Sequence, residues 1–113
     1  MHELSLMQGV LDTARKALAP YPVERVNQLT VSAGMLANLL PDAFDYAFLA
    51  LSPGTMFEGA RLIVEKRPLT ACCQACGREY ESGALPPCCP HCGSHEAEIL
   101  TGSEVLLVNI DFD

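Results

Sequence analysis

Six cysteines fall within the 21 residues from Cys72 to Cys92, and four of them form two matched pairs, Cys73-Gln74-Ala75-Cys76 and Cys89-Pro90-His91-Cys92, with twelve residues between. A two-residue gap lets both thiolates of a tight turn point at one ion, and Gly77 and Gly93, directly after each pair, tolerate the positive φ such a turn uses. Two such turns complete a tetrahedron. The spacing predicts a structural Zn(II) site of Cys73, Cys76, Cys89 and Cys92 and no catalytic residues, because catalysis needs an open coordination position. Cys72 and Cys88 each precede a ligand by one position, so the frames pairing Cys72 with Cys76 and Cys88 with Cys92 stay open. They are either spare thiols near the metal or groups for ligand exchange or thiol redox chemistry. His91 and His95 are solvent-facing loop residues, alternative ligands or donors to the ligands.

Met1-His2-Glu3 is a second place where chemistry could occur. A free terminal amine, the deprotonated amide of His2 and its imidazole can chelate one ion in adjoining rings. One position is left for the Glu3 amide or carboxylate, or for another group. A planar, nitrogen-rich set suits Ni(II) or Cu(II). The bulk of His2 predicts that Met1 is retained. Without further support, a histidine at position 2 reads as a frayed terminal residue.

The chain that must position these groups has 113 residues and 12.2 kDa, enough for one main core. Lys and Arg number 7 against 14 Asp and Glu, a formal charge of −7, which opposes the phosphate neutralisation that general nucleic-acid binding requires. Apolar residues make up 50% and charged residues 19%, so the chain can bury enough surface to fold. The densest apolar run, Ala47 to Leu51, ends at Ser52-Pro53-Gly54, well short of a membrane span, and predicts no membrane partner. Met1 to Ser5 lacks a basic start, and Asp12, Arg15 and Lys16 interrupt the apolar residues beyond it, so the sequence predicts no secretory signal and a cytoplasmic location. In that reducing compartment clustered cysteines read as metal ligands rather than disulfides.

Leu4, Met7, Leu11, Ala14 and Leu18 form a helical stripe that Pro20 and Pro22 stop. Leu29, Val31 and Ala33 alternate with polar residues up to Gly34, predicting a first strand. Pro41 and Asp42 suit a helix start, and Phe44, Ala47, Phe48 and Leu51 share a face of a second helix. Ala60 to Arg67 reads as a second strand closed by Pro68, with Leu62 and Val64 on one face. Leu106, Val108, Ile110 and Phe112 alternate with Leu107, Asn109, Asp111 and Asp113 in a last strand. Between the last two strands the segment from Leu69 to Gly102 is rich in Cys, Pro and Gly and poor in large aliphatics, which predicts no side-chain core of its own. The predicted class is α+β: two helices on a small, mainly antiparallel three-stranded sheet, with an inserted zinc-ribbon-like four-cysteine module. The predicted domains are 1–68 plus 103–113, which carries Met1-His2-Glu3, and a zinc-binding insertion over 69–102.

Read together, Met1-His2-Glu3-Leu4-Ser5-Leu6, Gly34, Pro41-Asp42-Ala43-Phe44 before Ala47-Phe48, Gly54-Thr55, Glu58-Gly59-Ala60, the cysteine turns with Cys89-Pro90-His91-Cys92-Gly93-Ser94, and Leu100-Thr101-Gly102-Ser103-Glu104 resemble the HypA/HybF family. That family consists of nickel metallochaperones for [NiFe]-hydrogenase maturation, and the resemblance runs through the whole chain. It implies that His2 is the key nickel ligand beside the Met1 amine and Glu3, and that Cys73, Cys76, Cys89 and Cys92 hold structural zinc. It further implies a HypB-type GTPase and the hydrogenase large subunit as partners, and allows a homodimer. Met35 stands where many relatives have an acidic residue, and the doubled cysteines Cys72 and Cys88 are outside the family pattern. Gly77 and Gly93 occupy places where some relatives bear histidines.

The alternative from another class is a zinc-ribbon protein-interaction module without nickel transfer. Its nucleic-acid version is opposed by a lone Arg78 against Glu79, Glu81, Glu96 and Glu98 in the segment from Leu69 to Gly102. A thiol oxidoreductase would need one low-pKa thiolate at a helix start, whereas two matched, glycine-flanked pairs read as metal turns.

Overall fold

The computed structural model describes residues 2–113, with side chains from Glu3 onward. Helix α1 spans His2–Leu18 and α2 spans Pro41–Leu51. On α1, Met7, Val10, Leu11, Ala14 and Leu18 recur at three- and four-residue intervals and are buried as one face. Its charges complement the helix dipole, with Glu3 in the first turn and Arg15 and Lys16 in the last. α2 carries Pro41 in its first turn, where a missing N–H is harmless, and buries Phe44, Ala47 and Phe48. These helices match the sequence stripes.

Six strands follow the chain as β1 (Val26–Gly34), β2 (Arg61–Arg67), β3 (Leu69–Cys73), β4 (Glu79–Ser82), β5 (Ala97–Thr101) and β6 (Val105–Phe112). They form two three-stranded sheets, ordered β2-β1-β6 and β4-β3-β5. The single three-stranded sheet expected from the sequence is therefore corrected to two. β1 and β6 run antiparallel, since Gly34 N–H donates to Glu104 O at one end and Asp113 N–H donates to Arg25 O at the other. β3 pairs antiparallel with both of its neighbours.

The chain divides into two compact units. The first comprises the chain up to Ser32, Leu39–Glu65 and Val105–Asp113; the second comprises Ala33–Asn38 and Lys66–Glu104. The first unit packs α1 and α2 over Val26, Leu29, Val31 and Phe57, with Leu62 and Val64 of β2 against them. The second unit has a core after all: Leu69, Ala71, Cys73, Tyr80 and Cys89 are buried together, with Met35, Leu36 and Ala97 packed on them. The expectation of no side-chain core failed because it left out buried thiols, which pack as small apolar groups. It also left out the short turn Met35–Ala37 after β1.

The last strand departs from simple alternation. Val105 and Leu107, then Ile110 and Phe112, pack on the first unit's core, while Leu106 and Val108 are exposed. The inward phase shifts by one residue at Val108-Asn109, so the strict alternation expected from the sequence holds only within each half of the strand.

Candidate metal centre

Strand β3 delivers one cysteine to each face of its sheet. Side chains alternate along a strand, so Leu69, Ala71 and Cys73 point into the core while Thr70 and Cys72 point the other way. Directly after Cys73 the chain turns. Gly77 N–H donates to Cys73 O at 2.8 Å, Cys73 N–H donates to Arg78 O at 2.8 Å, and Gly77 has φ 79°. The second turn repeats this pattern: Gly93 N–H donates to Cys89 O at 2.8 Å, Cys89 N–H to Ser94 O at 2.9 Å, and Gly93 has φ 78°. Each glycine sits in left-handed backbone, the conformation that lets a two-residue gap aim both thiols inward.

The sulfurs of Cys73, Cys76, Cys89 and Cys92 all lie within 4.8 Å of one another. Cys73 Sγ and Cys92 Sγ are 3.5 Å apart, and Cys76 Sγ and Cys89 Sγ 3.7 Å. Four thiolates held about 2.3 Å from a tetrahedral Zn(II) would stand about 3.8 Å from each other, so this donor set fits that ion. Cys73 and Cys89 are buried, while Cys76 and Cys92 are exposed. His91 N–H donates to Cys89 Sγ at 3.4 Å, an amide that supports thiolate charge. Among the described residues this is the one group of three or more His, Cys, Asp or Glu side chains gathered closely enough to hold an ion.

Protonation of the metal-free cluster is uneven. The Cys76 amide, aided by the Ala75 amide and the Cys92 and Cys76 thiols, outweighs burial and brings Cys73 down to about 7. At Cys89 burial is the largest single influence and raises the thiol, but the amides of Cys92 and His91 with the Cys76 and Cys92 thiols lower it overall. The Ser94 amide favours a Cys92 thiolate, yet the Cys73 sulfur, burial and the Cys89 and Cys76 sulfurs push Cys92 up to about 12. Cys76 is likewise raised, the Arg78 amide being outweighed by burial and the Cys73 and Cys89 sulfurs. Four negative charges this close are unstable without a cation, so two thiols keep their protons until one arrives.

The remaining sequence candidates lie outside the cluster. Cys72 Sγ is 3.7 Å from Gly77 O and Cys88 Sγ is 3.5 Å from Gly93 O, equivalent places on the two turns. The arrangement is that of the C-x2-C frame, and the C-x3-C frames would require both extra cysteines to reverse direction. His91 is exposed; His95 Nδ1 lies 3.2 Å from Pro87 O and serves the loop. Glu3 is half-buried in the first turn of α1. Met1 and the His2 side chain lie outside the described residues. Sequence reasoning missed Tyr80, whose ring is buried beside Cys73 and Cys89 and whose hydroxyl has no hydrogen-bond partner among the described residues. Burial, then the charges of Cys89, Cys73, Cys88 and Cys92, raise that phenol above its ordinary range. The alternation Glu79-Tyr80-Glu81 was the available signal.

Comparison with known proteins agrees with this architecture. A family model described as HypA, hydrogenase/urease nickel incorporation, metallochaperone, matches residues 1–112. The hydrogenase maturation factor HypA of Desulfitobacterium hafniense is 36% identical over 113 residues, covering 100% of this chain and 99% of that protein. Its counterpart in Geobacter metallireducens is 31% identical with both chains covered at 100%. The solution structure of the Ni metallochaperone HypA from Helicobacter pylori has the same fold, with TM-score 0.71 and 18% identity over 99% of this chain and 97% of that one. With a family model matched along nearly all of its length and relatives above 30% identity end to end, this chain belongs to the HypA family of nickel-incorporation metallochaperones.

Proposed function

We propose that this protein carries Ni(II) as cargo at its N-terminus and delivers it during [NiFe]-hydrogenase maturation, while Cys73, Cys76, Cys89 and Cys92 hold a resident Zn(II). The observation that carries the reading is the family match, which begins at residue 1 and so takes in Met1-His2-Glu3. Three features support it. The relatives are named as hydrogenase maturation factors. The four-thiol donor set, with two of its cysteines buried and all four on the paired turns, suits a structural ion and leaves cargo to another place. Helix α1 begins at His2, and first-turn amides have no intrahelical acceptor, so the His2 amide is available as a donor.

In this reading the Met1 amine, the His2 amide and the His2 imidazole bind nickel in a plane, with Glu3 beside them. The His2 amide belongs to the first turn of α1, and an acceptor takes the ion by ligand exchange. The acceptors are a HypB-type GTPase and the [NiFe]-hydrogenase large subunit, and the carrier is free to act as a homodimer. Zinc supplies cross-linking of the two turns; the protein's own part there is to present four thiols at tetrahedral spacing.

Nickel titration of the untagged protein, of His2→Ala, and of protein extended at its N-terminus by a histidine-free tag tests this. Both altered proteins should bind nickel about tenfold or more weakly, with zinc content unchanged. Affinity in the native chain should rise with pH through about 6 to 8, as the imidazole and α-amine lose protons. Unchanged affinity in the tagged protein would remove the amine from the site, and unchanged affinity in His2→Ala would remove the site itself.

A further inference from the structure

β6 is an edge strand of the first sheet, hydrogen-bonded to β1 on one side. The other edge strand of that sheet, β2, carries Arg61, Glu65, Lys66 and Arg67, the kind of charged guard that prevents strand addition. β6 has no Lys, Arg or Pro, and its one charged residue is Asp111. Two large aliphatics, Leu106 and Val108, are 56% and 50% exposed along it. Asp113 gives its N–H to Arg25 O and its carbonyl accepts from Glu24 N–H, so both of its polar groups face β1. By alternation, those of Phe112 and Ile110 face the free edge.

A groove of about 350 Å³ accompanies that edge. Thr13, Ala17, Leu18 and Tyr21 form one wall; the other is the consecutive stretch from Leu107 to Ile110, together with Phe112. Leu107 and Ile110 point inward whereas Val108 points outward, so a groove touching all of them opens along the strand's edge rather than on one face. Its lining is mainly apolar, and Tyr21, 56% exposed, packs against Phe112 with ring centres 5.7 Å apart and planes tilted by 44°. Backbone groups with no strand beside them, next to an apolar trough, are the two components of peptide recognition by strand addition.

We propose that β6 and this groove accept an extended segment of a partner protein as a fourth strand, and that the segment alternates apolar with basic residues. The apolar side chains would fill the trough, and the basic ones would meet Asp111 and a chain of net charge −7. A second copy of this chain is the poorer occupant. Each copy carries net charge −7, and a second β6 has no basic residue to set against Asp111.

The test uses NMR on the full protein, with an acetylated, amidated eight-residue peptide of alternating Lys and Val as probe. The control peptide has the same sequence with alternate peptide nitrogens methylated. Binding should slow amide exchange at Ile110 and Phe112. The methylated probe should bind about tenfold or more weakly, because it keeps the charge and loses the donors. Ala17→Trp, which fills the trough from an exposed helix position, and Val108→Lys, which guards the edge, should weaken binding similarly. Leu49→Lys, on the exposed face of α2, should not. Equal binding of the methylated probe, or perturbation centred away from β6, would overturn the proposal. So would protection of Ile110 and Phe112 in peptide-free protein, which in a dimer would assign the edge to a second copy and in a monomer to this chain.

Discussion

A side chain at Gly34 would collide with the backbone carbonyl of Gly102, which already accepts a hydrogen bond from Leu36 N–H at 2.7 Å. Gly102 is itself confined: its φ is 147°, and a Cβ there would stand 2.9 Å from Leu36 Cδ1. Two glycines thus let the end of β1 and the chain entering β6 approach within backbone contact, and Leu36 packs on the second unit's core beside them. Backbone cannot retreat as a flexible side chain can, so the contact tolerates no added atom.

Gly34→Ala should therefore destabilise the protein by about 1–3 kcal/mol through overpacking. Gly9→Ala, in α1 with nothing within 4 Å of the added methyl, should stabilise by about 0.5–1 kcal/mol through helix propensity. Urea unfolding midpoints at constant slope measure both. Equal effects of the two substitutions would contradict the close approach.

Tyr80→Phe tests the buried hydroxyl. An unpartnered polar group out of water carries its desolvation cost with no return, so its removal should be neutral or stabilise the second unit by up to about 1–2 kcal/mol. A loss of stability would mean that the hydroxyl has a hydrogen bond in solution.

How far these features could be read from the sequence depends on what set each side chain's direction. α1 and α2 were legible because Met7 and Phe44 each belong to a single helical period facing one core, and β1 because Leu29 and Val31 keep a period of two, although Val26 falls outside it. β6 was legible as a strand, but its residues 105–108 and 109–112 follow opposite phases, and alternating apolar residues on both faces hide such a slip. The thiol quartet was legible because spacing within a turn is local. The contribution of Met35 and Leu36 to the second unit was not, because it depends on the Gly34–Gly102 contact between segments far apart in the chain.

The extra cysteines give a test of the ligand frame. Cys72 and Cys88 sit outside the quartet, each beside the carbonyl of the glycine that ends its turn. The double variant Cys72→Ser, Cys88→Ser should keep about one zinc per chain with four sulfur neighbours by X-ray absorption, since serine fits both places. Fewer than four sulfur neighbours would show that one of these thiols is a ligand.

Metal loading of the quartet should depend on pH with a sign fixed by its uneven protonation. A bound ion requires four thiolates, and near pH 8 Cys73, at about 7, has already released its proton while Cys92, at about 12, retains one. Cys76, raised by burial and the Cys73 and Cys89 sulfurs despite the Arg78 amide, retains its own as well. Binding therefore expels protons, and mass action makes affinity climb as pH rises and fall as pH drops. Below about pH 7 Cys73 also takes up a proton, so one more must be displaced and the decline should steepen there. Competition for Zn(II) against a chelator of known pH dependence, carried from mildly acidic to mildly alkaline solution, measures the slope. Stripping the ion at neutral pH should then raise amide exchange across β3, β4 and β5, whose inner face carries Cys73, while Leu29 and Val31 of β1 stay protected in the core built on α1 and α2. An affinity independent of pH would mean that the four thiols are ionised before the metal arrives, and that the amides of the two turns alone suffice to hold the charge.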